Sequence, residues 1–161
     1  MATALALEPR IAAAPGAATV SEVSTTLPIR ATAAYGVFTD TIEIPRWLPI
    51  LQAARVLERD AEGRASRVSF TRKLERGLLA YTLDYRYDAE TWTVSWTTLP
   101  SSSVVLSGEA RFVPLSPRAC MMLYRLDLEL PIVDDKLHGE LDRHPASLVV
   151  AEFREHVRRF C

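Results

Sequence analysis

Arg72 is the residue of this 161-residue sequence whose type and position point most directly to chemistry. It follows Val68 and Phe70 at a spacing of two, so in a β-strand its side chain lies on the apolar face. A guanidinium on such a face is costly unless it is paired, lies at the rim of a cavity or contacts a ligand. The alternative is that Arg72 ends its strand and extends its charged end into solvent.

The other reactive residue types form no recognisable catalytic or metal-binding motif. His138, His144 and His156 lack the spacing of two or four residues that is typical of metal ligands on one element. Cys120 and Cys161 form no CxxC pair. We therefore predict no metal site and no cofactor, and we expect the histidines at the surface.

The elements that must position Arg72 are short strands separated by turn signals. A first strand is predicted over Thr19–Leu27, followed by short helices over 31–40 and 44–51. Beyond them, segments of about 8–12 residues alternate with polar turns, which predicts an antiparallel meander. The segments are Ala53–Glu58, Ala65–Leu74, Leu78–Tyr87, Thr91–Thr98, Val104–Pro114 and Arg118–Leu130.

The last segment has the period of an amphipathic helix. Pro145 stands at its start, and the segment runs to Phe160, with a short helical turn expected before it over 134–142. Charged residues, mostly arginines, occupy the opposite side and suit the negative end of the helix dipole. The predicted apolar stripe consists of Val149, Val150, Phe153, Val157 and Phe160.

One face of the predicted sheet carries many aromatic residues with polar tips. A single helix covers only part of a curved sheet, and buried Tyr and Trp need partners for their O–H and N–H groups. The pattern therefore favours an incompletely filled interior that binds a ligand, although the same face could simply be core against the helix. The predicted ligand-binding residues are Tyr35, Trp47, Phe70, Leu83, Trp92, Trp96, Leu106, Met122, Tyr124 and Phe153.

Composition and charge narrow the function classes. The chain has 19 basic and 20 acidic residues, which excludes the basic excess of an electrostatic nucleic-acid binder. No run approaches the ~20 apolar residues that span a bilayer. We expect residues 1–18, rich in alanine and proline, to form a flexible tail and residues 19–161 to form one domain. With free cysteines and no export signal, a cytoplasmic location is expected.

Two motifs resemble a known superfamily. The stretch VFTD at 37–40, followed by RWLP at 46–49, resembles a signature of the START-like (SRPBCC) superfamily. The stretch GEARFVP at 108–114 is similar to a second motif of that superfamily, and the likeness extends over about residues 19–160. The resemblance implies an α+β helix-grip fold. In it, a curved antiparallel sheet of about seven strands wraps around a long C-terminal helix, with two short helices after the first strand.

The same resemblance implies a deep cavity between sheet and helix that binds a hydrophobic small molecule such as a lipid, a quinone or a polyketide-like compound. The superfamily also includes polyketide cyclases, whose cavity arginines and tyrosines polarise carbonyl groups. By that resemblance Arg72, Tyr81 and Tyr85 are candidate catalytic residues of an aromatase/cyclase or dehydratase. A third hypothesis is a protein-interaction module, which a packed interior without a cavity would favour. The oligomeric state is not readable from the sequence.

Overall fold

A computed structural model describes residues 18–100, 102, 104–129 and 146–161. Residues 1–17 of the predicted tail and the predicted helical turn over 134–142 lie outside these residues, whereas Ala18 already belongs to the first strand. The elements in chain order are β1 (Ala18–Leu27), α1 (Ala31–Thr39), a 3₁₀ turn (Thr41–Glu43), α2 (Ile44–Trp47), β2 (Leu51–Arg59), β3 (Ala65–Leu74), β4 (Gly77–Asp88), β5 (Thr93–Thr98), β6 (Val105–Ser116), β7 (Ala119–Glu129) and α3 (Ala146–Phe160).

The strands form one antiparallel sheet in the order β1-β7-β6-β5-β4-β3-β2. The hairpin turns follow from local sequence. Gly63 and Gly77 adopt φ values of 83° and 102°, a region that glycine enters without the clash of a Cβ. The carboxylate of Asp60 accepts the backbone N–H groups of Glu62 and Arg64, which closes the β2–β3 turn. The predicted α+β helix-grip architecture is confirmed.

The second short helix ends earlier than the sequence predicted. It was expected over 44–51, but α2 stops at Trp47. Leu48 precedes Pro49 and has φ −122° and ψ 82°, because the proline ring disfavours helical conformation in the residue before it. The chain is therefore free to enter β2 at Leu51.

Helix α3 packs into the concave face of the sheet through an aromatic cluster. Phe153 is fully buried, and its ring centroid lies 5.3 Å from Phe38, 5.0 Å from Trp47 and 6.1 Å from Phe112. Phe160, which the sequence placed on the same stripe, is 68% exposed and its ring contacts His156 instead. The sheet covers the apolar stripe only as far as Val157, which is 1% exposed. In the described ranges, no helix is both long and apolar enough to cross a membrane.

Two phenylalanines of α3 provide a test of this packing. Phe153→Ala should lower the free energy of unfolding by about 3–5 kcal/mol, because it opens a void where three other aromatic rings meet. Phe160→Ala removes the same side chain from an exposed position and should change stability by no more than about 0.5 kcal/mol. Equilibrium denaturation in urea measures both; equal losses would contradict the described docking of α3.

Candidate functional site

A cavity lies between the concave face of the sheet and the three helices. Its interior volume is about 90 Å³. All the empty space between its walls, including space that is open to solvent, amounts to about 640 Å³. Strands β2 to β7, the helices and the α2–β2 connection all contribute to its wall. The lining residues are Phe38, Ile44, Trp47, Leu48, Ile50, Leu51, Phe70, Arg72, Tyr81, Leu83, Tyr85, Trp96, Leu106, Tyr124, Leu126 and Val149.

Strand alternation brings the key polar side chains into this wall. Arg72 lies opposite Leu79 of β4 and Leu51 of β2 in the sheet register, and it is 7% exposed. Tyr81 lies two residues beyond Leu79 on the same inward face of β4. The structure therefore excludes the alternative that Arg72 extends into solvent at a strand end.

Arg72 and Tyr81 are electrostatically coupled. Burial raises the pKa of Tyr81 to about 12, while the positive charge of Arg72 opposes part of that rise. The Tyr81 phenol is therefore protonated at neutral pH and can act as a hydrogen-bond donor. Burial also raises the pKa of Tyr85 and of Tyr124 well above the ordinary value for tyrosine.

A buried N–H group of the wall has no hydrogen-bond partner in the described part of the chain. The indole N–H of Trp47, in a side chain only 3% exposed, makes no hydrogen bond there. Because an indole N–H can only donate, its partner in a filled cavity must be an acceptor atom.

The wall offers donors and one positive charge but no acidic group. Its sixteen residues include no Asp, Glu, His or Lys. Among the residues that the structure describes, no cluster of three or more His, Cys, Asp or Glu could hold a metal ion. The site can therefore accommodate an apolar body and donate hydrogen bonds to its oxygen atoms.

Nine of the thirteen residues predicted for the site line this cavity. They are Arg72, Tyr81, Tyr85, Trp47, Phe70, Leu83, Trp96, Leu106 and Tyr124. Met122 on β7 and Phe153 on α3 are instead fully buried in the packed core and do not line the cavity. Period-two alternation places a residue on the correct face, but it does not say whether a helix covers it.

Tyr35 and Trp92 lie away from the cavity and pack edge to face with a centroid distance of 5.5 Å. Trp92 has φ 51°, so it belongs to the β4–β5 turn, and β5 begins only at the next residue. Tyr35 lines a separate cleft of about 330 Å³, together with Arg64 and Tyr87. Burial raises the pKa of Tyr35, and the nearby Arg64 partly offsets this rise.

Seven lining residues were not predicted as site residues. Phe38 and Leu126 follow apolar periodicities that the sequence shows, so a full count of inward positions could have found them. Ile50 and Leu51 could not have been found, because a helix was expected over them. The remaining three are Ile44, Leu48 and Val149.

Comparison with known proteins identifies the fold. No family model matches the sequence, and no curated protein matches it significantly. A START superfamily protein from Mycobacterium smegmatis has an 18% identical sequence and a TM-score of 0.73, over 88% of this chain and 99% of that one. The Zhui aromatase/cyclase from Streptomyces sp. R1128 is 15% identical with a TM-score of 0.73, over 88% and 94% of the chains. A protein from Thermus thermophilus is 15% identical with a TM-score of 0.72, over 87% and 97%.

These likenesses show that the chain has the START-like helix-grip fold that its motifs resemble. At such low identities they establish the fold and not an activity, because one fold carries many functions.

The buried tyrosines make stability depend on alkaline pH. Burial raises the pKa of all five tyrosines, to about 12 for Tyr81 and Tyr87, whereas a tyrosine in an unfolded chain ionises near ~10. Above pH ~10 the tyrosines of the unfolded chain have therefore lost protons that those of the folded chain retain. The free energy of unfolding consequently falls as the pH rises toward 12.

An ultraviolet titration of phenolate absorbance, recorded with near-ultraviolet circular dichroism, checks this prediction. Phenolate should appear together with loss of the folded signal, and the chain unfolded in urea should titrate near ~10. If the tyrosines of the folded protein ionise reversibly near pH ~10, the prediction is wrong.

Proposed function

We propose that this protein binds a hydrophobic small molecule in the cavity between the sheet and its helices. The observation that carries the proposal is an apolar, strongly aromatic cavity wall that includes a buried indole N–H, that of Trp47, without a hydrogen-bond partner among the described residues. Ligand sites commonly combine a mostly apolar lining with a few convergent polar groups. A fully packed interior, which would have favoured a protein-interaction module, is not what the described residues form.

The donor groups indicate which part of a ligand they bind. Trp47 and Arg72 can donate hydrogen bonds but cannot accept them. A ligand with an apolar body and a carbonyl or carboxylate oxygen therefore suits the wall, and lipids, quinones and polyketide-like compounds all include such molecules. The resemblance of the motifs to the START-like superfamily implies this same class of ligand, and a START superfamily protein is among the solved structures of similar fold.

A second candidate function, cyclisation of a polyketide-like chain, is favoured by the buried position of Arg72 beside Tyr81. One relative of similar fold is an aromatase/cyclase. In an intramolecular aldol step, the C=C bond of an enol breaks as its carbon forms a C–C bond to a carbonyl carbon, whose C=O π bond breaks in turn, and the enol oxygen becomes a carbonyl as it releases its proton. Arg72 would bind the attacked carbonyl oxygen, protonated Tyr81 would donate a proton to it, and the proton released by the enol would restore the Tyr81 phenol.

We also propose a cytoplasmic location, because both cysteines are free and a reducing compartment preserves thiols.

Filling the cavity tests the binding proposal. Leu106→Trp should abolish ligand binding, because Leu106 lines the cavity on β6 and an indole there occupies its volume. Leu123→Trp makes the same change on the outer face of β7, where Leu123 is 39% exposed, and should bind like the wild type. Binding is measured as the rise in Tm with a fatty acid, a short-tailed quinone and an aromatic ketone.

Native mass spectrometry of the freshly purified protein completes this test. A co-purifying apolar compound in the wild type and in Leu123→Trp, but not in Leu106→Trp, is the expected result. No Tm rise with any of the three probes and no co-purifying compound would refute the binding proposal.

Arg72 variants test the cyclase candidate. With a poly-β-ketone chain as substrate, Arg72→Ala should reduce cyclised product about 10²–10³-fold, as loss of a donor to a developing oxyanion does. Arg72→Lys keeps the charge without the planar fork and should retain part of the activity. Arg86→Ala, an exposed arginine on β4, is the matched control. Product formation by Arg72→Ala at the wild-type rate would reject this candidate.

A further inference from the structure

Trp96 and Gly108 form a close cross-strand contact at the floor of the cavity. The two residues are directly paired in the register of β5 and β6. A Cβ added to Gly108 would lie 2.5 Å from Cζ2 of Trp96, 2.6 Å from Cε2 and 2.7 Å from Nε1. Real Cβ atoms do not approach other atoms within 3.0 Å, so the indole occupies the space that any larger residue at 108 would need.

The indole of Trp96 has little freedom to move aside. It is 6% exposed and contacts three other aromatic rings, with centroid distances of 5.9 Å to Phe38, 6.1 Å to Tyr85 and 5.6 Å to Tyr124. Its ring packs against Gly108 and Trp96 also lines the cavity. A displacement of the ring away from Gly108 would therefore narrow the cavity.

The cavity volume is small for the lipids, quinones and polyketide-like compounds proposed above. It measures about 90 Å³, whereas a dry cavity that binds benzene measures about 150 Å³. A single ring requires only a modest widening of the walls, but a fused ring system or a long acyl chain requires displacement of a wall residue. The rings of Trp96 and its aromatic neighbours offer faces and edges against which a planar ring packs favourably.

We infer that the Trp96–Gly108 contact sets the size limit of the cavity, and that its ligand is a compact molecule with one aromatic ring and an oxygen acceptor. This inference rests on the proposed ligand-binding function. Gly108 allows Trp96 to lie flat on the sheet, and the flat indole leaves depth for one ring. A larger residue at 108 raises the indole, by 0.9 Å if its nearest carbon moves from 2.5 Å to the 3.4 Å of ordinary contact.

A series of three ketones tests the size limit. Acetophenone, 2-acetylnaphthalene and 2-acetylanthracene share an acetyl group and differ in ring number. The wild-type protein should bind acetophenone most tightly, with Kd increasing at least about tenfold with the added rings. Trp96→Ala should reverse this order by opening space for the larger ketones.

A double-mutant cycle tests the contact itself. Gly108→Ala should weaken acetophenone binding at least about tenfold, because the raised indole enters the cavity. In the Trp96→Ala background the added Cβ meets no indole, so Gly108→Ala should change each Kd by less than about twofold. Gly36→Ala is the matched control, because its Cβ meets nothing within 4 Å.

The outcomes separate this inference from the function on which it rests. If no ketone binds the wild-type protein but a fatty acid or a quinone does, this inference is refuted and the proposed function stands; if none of these probes binds and no compound co-purifies, the proposed function fails. If the ketones bind but affinity does not fall with ring number, or if Gly108→Ala binds acetophenone like the wild type, the size limit is refuted. If Gly108→Ala alone does not fold, the comparison of Trp96→Ala with the double variant decides. If the Trp96→Ala variant and the double variant have the same order of Kd for the three ketones, the contact is supported. If the two orders differ, it is refuted.

Discussion

The contact between Phe38 and Phe153 is the interaction on which the rest of the structure depends. Their rings meet at a centroid distance of 5.3 Å and 81°. Phe38 lies near the start of the sheet-forming chain and Phe153 near its end, so the contact joins α1 to α3 within the concave face of the sheet. Trp47 and Phe112 pack around the pair and bring α2 and β6 into the same cluster. The cavity forms beside this cluster, between the helices and the part of the concave face that the cluster does not fill.

The cavity wall is costly for the folded protein. A buried N–H without a partner, such as that of Trp47, costs about 1–3 kcal/mol, and a buried guanidinium needs still stronger compensation. A wall selected only for stability would carry leucine or phenylalanine at such positions. The indole N–H of Trp47 is consistent with a role in ligand recognition, because an acceptor atom of a bound molecule would satisfy it. Trp96 lies close against Gly108, which has no side chain, and it also contacts Phe38 of the aromatic cluster that stabilises the fold. The volume of the cavity therefore depends on the packing of that cluster.

The similarity to solved structures extends over most of the chain and yet decides only the fold. Sequence identities of 15–18% mean that the wall residues of the similar proteins need not coincide with those of this chain. The function must therefore be argued from the side chains that line this cavity. The aromatic wall and its donor groups support binding of a small molecule, and the buried Arg72 beside Tyr81 is the observation that favours catalysis.

The sequence by itself determined the elements and the faces of the sheet. Period-two alternation placed Arg72, Tyr81, Tyr85 and Trp96 on the inward face, because side chains on a strand point alternately to opposite sides. Only the tertiary structure decided which inward residues meet empty space. Met122 and Phe153 have the same apolar character as Phe70 and Leu83, but they are buried in the packed core, whereas Phe70 and Leu83 line the cavity. Because α2 ends at Trp47, Ile50 and Leu51 reach the cavity wall. Because Trp92 has a positive φ, it lies in a turn away from the cavity. The sequence could not predict the volume of the cavity either, because that volume depends on how closely an indole on one strand approaches a glycine on the next.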